Sequence, residues 1–183
     1  MTTPLATAAD LAALPNDGFR YYLIRGEIRK RKIASYAYGI VTGRLAFPLL
    51  NLAEKEQLGV ATVGECGYRL RRDPDTVLDP AAAFIANDVL PPFDERDFTT
   101  HVCIPTLAIE VVSPSNTRRE VMEKVEAYRE AGVRLIWVAF PETKSVLVDG
   151  AGREPVILTE HDLLDGGEVL PALRPLRVAD IFR

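Results

Sequence analysis

The chain of 183 residues contains only two cysteines and two histidines. Cys66 and Cys103 are too few for a disulfide framework and lack the spacing of a zinc site, so we expect two unreactive thiols in a reducing compartment. His101 and His161 lie far apart and have no second ligand in helical or hairpin register. These shortages argue against a disulfide-rich secreted domain and against a histidine metal site.

The sequence also lacks any apolar run close to the roughly 20 residues that cross a bilayer. The N-terminal residues contain no basic segment leading into an apolar core, so we expect a cytoplasmic protein without a membrane span. With 48% hydrophobic and 26% charged residues, the composition is that of a globular chain. We expect one domain over residues 1–183, with a helical lead-in over 1–18 and a C-terminal hairpin and short helix over 144–183.

Positive charge is concentrated in one segment of this acidic chain. The net charge is −4, but "RGEIRKRK" at residues 25–32 holds five basic residues and one acid, so the other 175 residues carry −8. Such a segment could follow a phosphate backbone. A solvated edge strand protected against aggregation by Lys and Arg has the same sequence pattern.

Residues 105–140 follow a strand, helix, strand pattern. Thr117 and Glu120 fit a capping box at the start of the helix, and Gly132 fits its end. The apolar stripe of this helix is formed by Val121, Val125 and Tyr128. A βαβ unit with parallel strands and a right-handed crossover is therefore predicted.

The remaining patterns predict helices and short strands around this unit. A hairpin is expected near Gly26, and a helix from about residue 36 that Pro48 kinks or splits and Gly59 ends. Short β-like runs follow from Val60 to Ala86, and residues 87–104 read as a surface loop. A last hairpin surrounds "DGAG" at residues 149–152. The fold class is thus α/β, with a mixed central sheet and flanking helices.

Glu110 is an acid inside the apolar stretch "LAIEVVSPS" at residues 107–115. A buried carboxylate is costly unless it is paired, protonated or bound to a cation. Lys124 on the following helix is a candidate partner, although by spacing alone it could instead pair with Glu120 at i, i+4. A structural salt bridge is one account of Glu110, and a divalent cation such as Mg²⁺, which binds carboxylates and polarises phosphoryl oxygens, is another.

The chain resembles the Uma-type family of restriction endonucleases, a branch of the PD-(D/E)xK nuclease superfamily. The resemblance extends from about Tyr21 to Phe182 and is most specific over residues 109–138. It is carried by four stretches: "YYLIRGEI", "TVLDPAAAFI", "IEVVSPSNTRREVMEKVEAYREAGVRLIWV" and "VLPALRPLRVADIF". The resemblance implies a restriction-endonuclease-like core.

The family pattern also implies a site. The glutamate before the "SPS" turn, here Glu110, would hold Mg²⁺ or Mn²⁺, together with a strand aspartate and an upstream "GE" glutamate that matches Glu27. The superfamily lysine normally lies two residues after the glutamate, where this chain has Val112. In this branch the basic role moves to the next helix, which matches Lys124.

Two positions depart from the family pattern. Ala81 stands where the metal-binding aspartate of the "PD" pair belongs, and Tyr38 stands where a histidine is usual. An introduced alanine in a parent "TVLDPDAAFI" and divergence away from nuclease activity both account for Ala81. Asp79 is a candidate replacement ligand, but Pro80 and a displacement of roughly 6 to 7 Å along one strand argue against good geometry.

These observations predict a Mg²⁺-dependent DNA endonuclease that is impaired or inactive because of Ala81. The alternative is a non-catalytic nucleic-acid-binding or assembly protein that keeps the fold. A homodimer is expected, because enzymes that cut both strands often match the symmetry of the duplex. The DNA contacts are predicted at Arg29, Lys30, Arg31, Lys32, Tyr38 and Arg44.

Overall fold

The computed structural model describes residues 4–32, 34–64, 66–92, 103–114 and 116–183. The helices are α1 (Ala8–Ala12), α2 (Tyr36–Glu56), α3 (Arg118–Ala131) and α4 (Val178–Ile181). The strands are β1 (Arg20–Ile24), β2 (Glu27–Arg31), β3 (Gly59–Val63), β4 (Tyr68–Arg71), β5 (Thr76–Leu78), β6 (Ala82–Ala86), β7 (Leu107–Val111), β8 (Leu135–Phe140), β9 (Ser145–Gly150), β10 (Val156–Leu158), β11 (Leu163–Leu164) and β12 (Leu176–Arg177).

Two sheets contain most of these strands. The first is antiparallel, in the order β2-β1-β5-β4, and includes the predicted β1–β2 hairpin. Gly26 in its turn has φ +76°, a conformation that glycine adopts without strain. The second sheet has the order β10-β9-β8-β7-β6-β3 and is antiparallel except where β7 lies parallel to β8. It is the mixed central sheet that the sequence predicted.

Helix α3 joins β7 to β8, which confirms the predicted βαβ unit. The capping box at Thr117 and Glu120 is present, with the Thr117 side chain accepting a hydrogen bond from the Glu120 backbone N–H. At the other end Gly132 adopts φ +86° and accommodates the left-handed turn that stops the helix. Both helix boundaries therefore follow from the local sequence.

Helix α2 differs from its prediction at its C-terminal end. It runs without a break through Pro48, so of the two predicted effects of this proline the split does not occur. It also ends at Glu56, with Gln57 in the left-handed conformation, three residues before Gly59. Gly59 begins β3 instead, where a Cβ would lie 2.0 Å from the Ile85 carbonyl oxygen. The glycine therefore permits close strand pairing and does not stop the helix.

The stretch "VLDPAAAFIA", residues 77–86, is not one strand. Its first part lies in β5 of the four-stranded sheet, and its last part forms β6 of the six-stranded sheet. The chain crosses between the sheets at residues 79–81, where Pro80 has no N–H for a ladder hydrogen bond. The expectation that Asp79 and Ala81 share one strand face is therefore wrong, and Asp79 follows the end of β5.

The six-stranded sheet has a hydrophobic core on each face. One core packs α2 and α4 against the sheet, through residues such as Leu45, Ile109 and Trp137. The other packs α3 and the four-stranded sheet against the opposite face, through residues such as Val125 and Val138. The edge of this second core lies near the end of β7, where the polar cluster described below is found.

The remaining expectations concern loops and isolated residues. Residues 87–92, 103 and 104 contain no helix or strand, as predicted, and the rest of that loop, with His101, lies outside the described residues. The β9–β10 hairpin is present. His161 is largely exposed next to Glu160. Over the described parts of the chain, no helix has the length and apolar character needed to cross a membrane.

Candidate active site

Glu110 lies near the end of β7 and is only 8% exposed. Strand alternation directs it to the same side as Ala108, towards α3, whereas Ile109 packs in the core beneath α2. The sequence prediction of a buried carboxylate is thus confirmed. A charge in such surroundings needs a partner.

That partner is Lys124 of α3. Its Nζ atom lies 3.1 Å from both Oε1 and Oε2 of Glu110, and both side chains are buried. The alternative pairing of Lys124 with Glu120 is wrong, because the Glu120 carboxylate accepts the Thr117 backbone N–H at 2.7 Å. The Glu120 carboxylate therefore takes part in the capping box of α3, and the Lys124 side chain extends to Glu110 on the sheet.

Two tyrosines complete the immediate surroundings of the pair. The hydroxyl of Tyr128 donates to Glu110 Oε1 at 2.8 Å, and the ring of Tyr22 lies 4.9 Å from Lys124 Nζ in a cation–π contact. The sequence assigned Tyr128 only to the apolar stripe of α3. Its position one turn after Lys124 was the available signal, because i and i+4 side chains share a helix face. Nothing local indicated Tyr22, which belongs to the other sheet.

The electrostatics of the cluster keep Lys124 charged. Burial lowers the pKa of Lys124, but the charges of Glu110 and Asp79 and the hydrogen bond to Glu110 outweigh it, so the pKa lies above its ordinary value. Burial, followed by the charge of Glu110, raises the pKa of Tyr128 well above its ordinary value. Lys124 is therefore an ammonium near neutral pH, and Tyr128 is a neutral hydrogen-bond donor.

Asp79 and Arg31 form a second ion pair beside the first. Arg31 Nη2 lies 2.6 Å from Asp79 Oδ2, and the side chains are only 16% and 10% exposed. The remaining oxygen, Asp79 Oδ1, is buried without a hydrogen-bond partner among the described residues. Arg31 lines the same small cavity as Glu110 and Lys124, so this ion pair lies beside the first. The crossing between the sheets brings Asp79 to Arg31, and its role as a replacement ligand stays a prediction.

A small cavity of about 20 Å³ opens next to these groups. This volume is close to what one water molecule requires, which is about 10 to 15 Å³. Burial and the charge of Glu110 raise the pKa of Tyr38, which stands at the position of the family histidine, to about 12. The polar and charged residues that line the cavity are Arg31, Lys32, Tyr38, Glu110, Ser113, Asn116 and Lys124.

Ala81 precedes β6 and is 3% exposed. The strand register pairs Ala82 with Ile109, so the backbone of Ala81, one residue earlier, is level with Glu110, and the Ala81 side chain packs in the core beneath α2. A methyl group at this position supplies no ligand.

Several predicted residues lie away from the cluster. The Glu27 side chain is 64% exposed and pairs with Arg29 at 2.6 Å. Glu27 lies four residues before Arg31 on β2, which separates the two residues by roughly 13 Å at the rise of a strand. Lys30 lies over the Phe19 ring at 4.6 Å. Arg44 donates to the Ile181 carbonyl at 3.2 Å, at the C-terminal end of the chain. The structure does not bring these three side chains to Glu110.

The donor set can be compared with the needs of a divalent cation. Among the described residues, no group of three or more His, Cys, Asp or Glu side chains could hold a metal ion. The cluster offers two carboxylates, Glu110 and Asp79, and one of their oxygens, Asp79 Oδ1, lacks a partner. Mg²⁺ commonly binds one or two carboxylates and keeps several waters. The residues therefore fit a largely hydrated ion, held weakly because Lys124 and Arg31 balance the two negative charges.

Comparisons with known proteins agree with this fold. The model of the Uma2 family, with the description "Putative restriction endonuclease", matches residues 8–179. A solved structure described as a putative nuclease of the DUF820 family, from Anabaena variabilis, superposes with a TM-score of 0.82. The two chains are 15% identical, and the match covers 95% of this chain and 96% of the other. No curated protein is similar to the chain in sequence.

Proposed function

We propose that this chain, which belongs to the Uma2 family of restriction-endonuclease-like proteins, is a DNA endonuclease. In this proposal the activity depends on Mg²⁺ or Mn²⁺ and is impaired by Ala81. The observation that carries the proposal is the buried contact of Lys124 Nζ with both carboxylate oxygens of Glu110 beside a cavity lined by Arg31 and Lys32. Nuclease chemistry needs these groups together, namely a carboxylate for the metal and cationic donors for the phosphate.

In this proposal Glu110 and Asp79 hold the divalent ion. The ion would supply charge stabilisation to the phosphoryl oxygens during hydrolysis. Arg31 fixes Asp79 through Oδ2 and leaves Oδ1 available, while Tyr128 fixes the orientation of Glu110. Glu27 has no place in this set, because its carboxylate is exposed and bound to Arg29.

Lys124 acts as a hydrogen-bond donor and as a positive charge. Its raised pKa keeps the amine protonated at neutral pH, so it cannot remove a proton from water there. An ammonium beside the cavity can orient a water molecule and stabilise charge on a phosphate oxygen. We therefore assign Lys124 the positioning of water, and not its deprotonation.

The DNA backbone would approach over the mouth of the cavity. Arg31 and Lys32 line it, and Lys32 is exposed, so both suit phosphate contacts that carry little sequence information. Arg29, Lys30 and Arg44 are engaged with Glu27, Phe19 and backbone carbonyls respectively. A homodimer and a cytoplasmic location stay predictions.

The test restores the carboxylate. Ala81→Asp should convert a chain without measurable plasmid cleavage into one that nicks plasmid DNA with Mg²⁺ or Mn²⁺, because the family pattern has its metal-binding aspartate at this position, level with Glu110 on the adjacent strand. Ala81→Asn is the matched control, since it has the same shape without the charge. Adding Glu110→Gln to Ala81→Asp should abolish the gain. A folded Ala81→Asp protein with no cleavage, or with cleavage that survives Glu110→Gln, would contradict the site assignment.

A second candidate function is nucleic-acid binding without catalysis. It is favoured by the charge balance of the cluster, in which two cations face two carboxylates. Titration calorimetry with Mn²⁺ separates the two functions. An endonuclease site should give saturable binding that Glu110→Gln or Asp79→Asn removes, whereas a binding module should give no saturable heat.

A further inference from the structure

A groove of about 670 Å³ lies outside the candidate active site, between the outer face of α2 and the C-terminal segment. One wall is formed by α2, at Gly39, Ile40, Gly43 and Phe47. The opposite wall includes residues 174–177 and α4. None of these residues belongs to the Glu110 cluster, so the groove needs an explanation of its own.

The groove is strongly basic in a chain of negative net charge. Four arginines, namely Arg44, Arg174, Arg177 and Arg183, line it together with a single acid, Asp180. Arg174 and Arg177 are exposed, and no carboxylate of the described residues forms an ion pair with either. The chain as a whole carries −4, so this excess of positive charge selects an anionic occupant.

The same face of α2 carries two rings that are largely exposed in the described part of the chain, namely Phe47, which lines the groove, and Tyr36, which lies beyond the lining residues. Tyr36 is 86% exposed and Phe47 is 66% exposed, on the same side of the helix. They lie eleven residues apart, which is roughly 16 Å along a helix, the length of about five stacked nucleotides. Between them, a Cβ on Gly39 or Gly43 would meet nothing within 4 Å, so the helix surface is open to a ligand.

The position of the groove relates it to the Glu110 cluster. Helix α2 starts beside the small cavity, where Tyr38 is a lining residue, and its exposed face continues from Tyr36 towards Phe47. The first turn of α2 thus borders the cavity through Tyr38 and begins the exposed face that leads to the groove through Tyr36. Exposed rings and unpaired arginines along one track are the combination that binds single-stranded nucleic acids, since bases stack on the rings and phosphates contact the cations.

We infer that this groove binds a single-stranded nucleic acid, the unpaired flank of the strand whose phosphate occupies the Glu110 cluster. The inference deepens the proposed function, on which it rests for the connection to cleavage. Arg174 and Arg177 contact phosphates, and Phe47 and Tyr36 stack on bases. Duplex DNA has no free base faces, so the two rings discriminate in favour of unpaired strands.

The test measures binding of a fluorescent thymidine 20-mer by anisotropy, in EDTA and over a range of salt concentrations. Arg174→Ala with Arg177→Ala should raise the dissociation constant at least tenfold and reduce the slope of log K against log salt by about 1.4, from about 0.7 per phosphate lost. The matched control is Arg71→Ala with Arg72→Ala, which removes the same charge from exposed residues of β4 and its turn. That control should change the constant less than twofold.

Phe47→Ala tests the stacking. It should weaken binding of the single strand about tenfold, from roughly 1 to 3 kcal/mol per stacked base, and leave a duplex of equal length unaffected. The inference would be overturned if both double arginine variants changed the dissociation constant equally, or if neither changed it. It would also be overturned if Phe47→Ala weakened binding of the single strand and of the duplex equally. A change from dimer to monomer in light scattering for Arg174→Ala with Arg177→Ala would overturn it as well, because the groove would then be a contact between copies.

The outcome separates this inference from the proposed function. If Ala81→Asp fails to restore cleavage while the groove variants behave as expected, the catalytic assignment fails and the groove stands. If cleavage is restored but the substitutions at Arg174, Arg177 and Phe47 do not change binding of the single strand, only the groove assignment fails.

Discussion

We expect the buried Glu110–Lys124 pair to make the protein less stable than apolar residues of similar size would make it at the same positions. Lys124→Met would leave the Glu110 carboxylate, 8% exposed, without the ammonium that contacts both of its oxygens. Breaking a buried pair on one side typically costs about 3 to 5 kcal/mol. A domain of this kind has a free energy of unfolding of about 5 to 15 kcal/mol, so the single variant should lose about a fifth of it or more.

Removing the whole polar group should reverse that loss. In the triple variant Glu110→Met, Lys124→Met and Tyr128→Phe, no charge is buried alone and no hydroxyl loses its acceptor. Replacement of a buried ion pair by apolar groups of similar size is often neutral or stabilising by about 1 to 4 kcal/mol. We therefore expect the triple variant to be at least as stable as the parent chain, although it lacks the central carboxylate and amine of the candidate site.

Urea unfolding measures both effects. The single tryptophan, Trp137, is fully buried, so its fluorescence reports loss of the core. Lys55→Met is the control, because Lys55 is exposed on α2 and its loss should change stability by less than about 0.5 kcal/mol. If the triple variant is as unstable as Lys124→Met alone, the cluster serves the fold, and the argument that it is retained for chemistry is refuted.

Two further predictions concern the scaffold. Burial raises the pKa of Asp75, but the hydrogen bonds that it accepts from Arg69 and from the backbone N–H groups of Ala8 and Asp73, together with the charge of Arg69, outweigh burial, and the pKa lies below the ordinary 3.8. Asp75→Asn should therefore lose about 1.5 to 3 kcal/mol at pH 7. This difference from the parent should shrink as the pH falls below 3.8 and the native carboxylate gains a proton, as urea unfolding at several pH values would reveal. Thr117→Ala should cost about 0.5 to 2 kcal/mol through loss of the α3 cap, with Thr117→Asn close to the parent in the same assay.

The βαβ unit could be predicted because its signals are local. Thr117 and Gly132 define the ends of α3 through capping chemistry that depends on only a few neighbouring residues. The competition for Glu120 shows the limit of such signals. The capping box and the i, i+4 ion pair both required this acid, and the structure gives it to the helix start. A carboxylate that accepts the Thr117 N–H cannot also reach along the helix, so Lys124 turns to Glu110.

The rest of the site depends on contacts between distant segments. Tyr22, Arg31 and Asp79 belong to the N-terminal hairpin and to the crossing between sheets, and no periodicity relates them to β7. Asp79 in particular was judged as part of one continuous strand. Its real position depends on the break at Pro80 and on the second sheet, which only the assembled fold reveals.

The carboxylate and the amine of the cluster stand on different secondary elements, β7 and α3. In a nuclease whose lysine follows the glutamate by two residues, the pleat of one strand sets their separation. Here the separation depends on how Val121, Val125 and Tyr128 seat the helix on the sheet. Enlarging or trimming a greasy side chain beneath α3 would shift the amine relative to the acid, so the geometry of this cluster can be altered from the interior of the protein without changing either group.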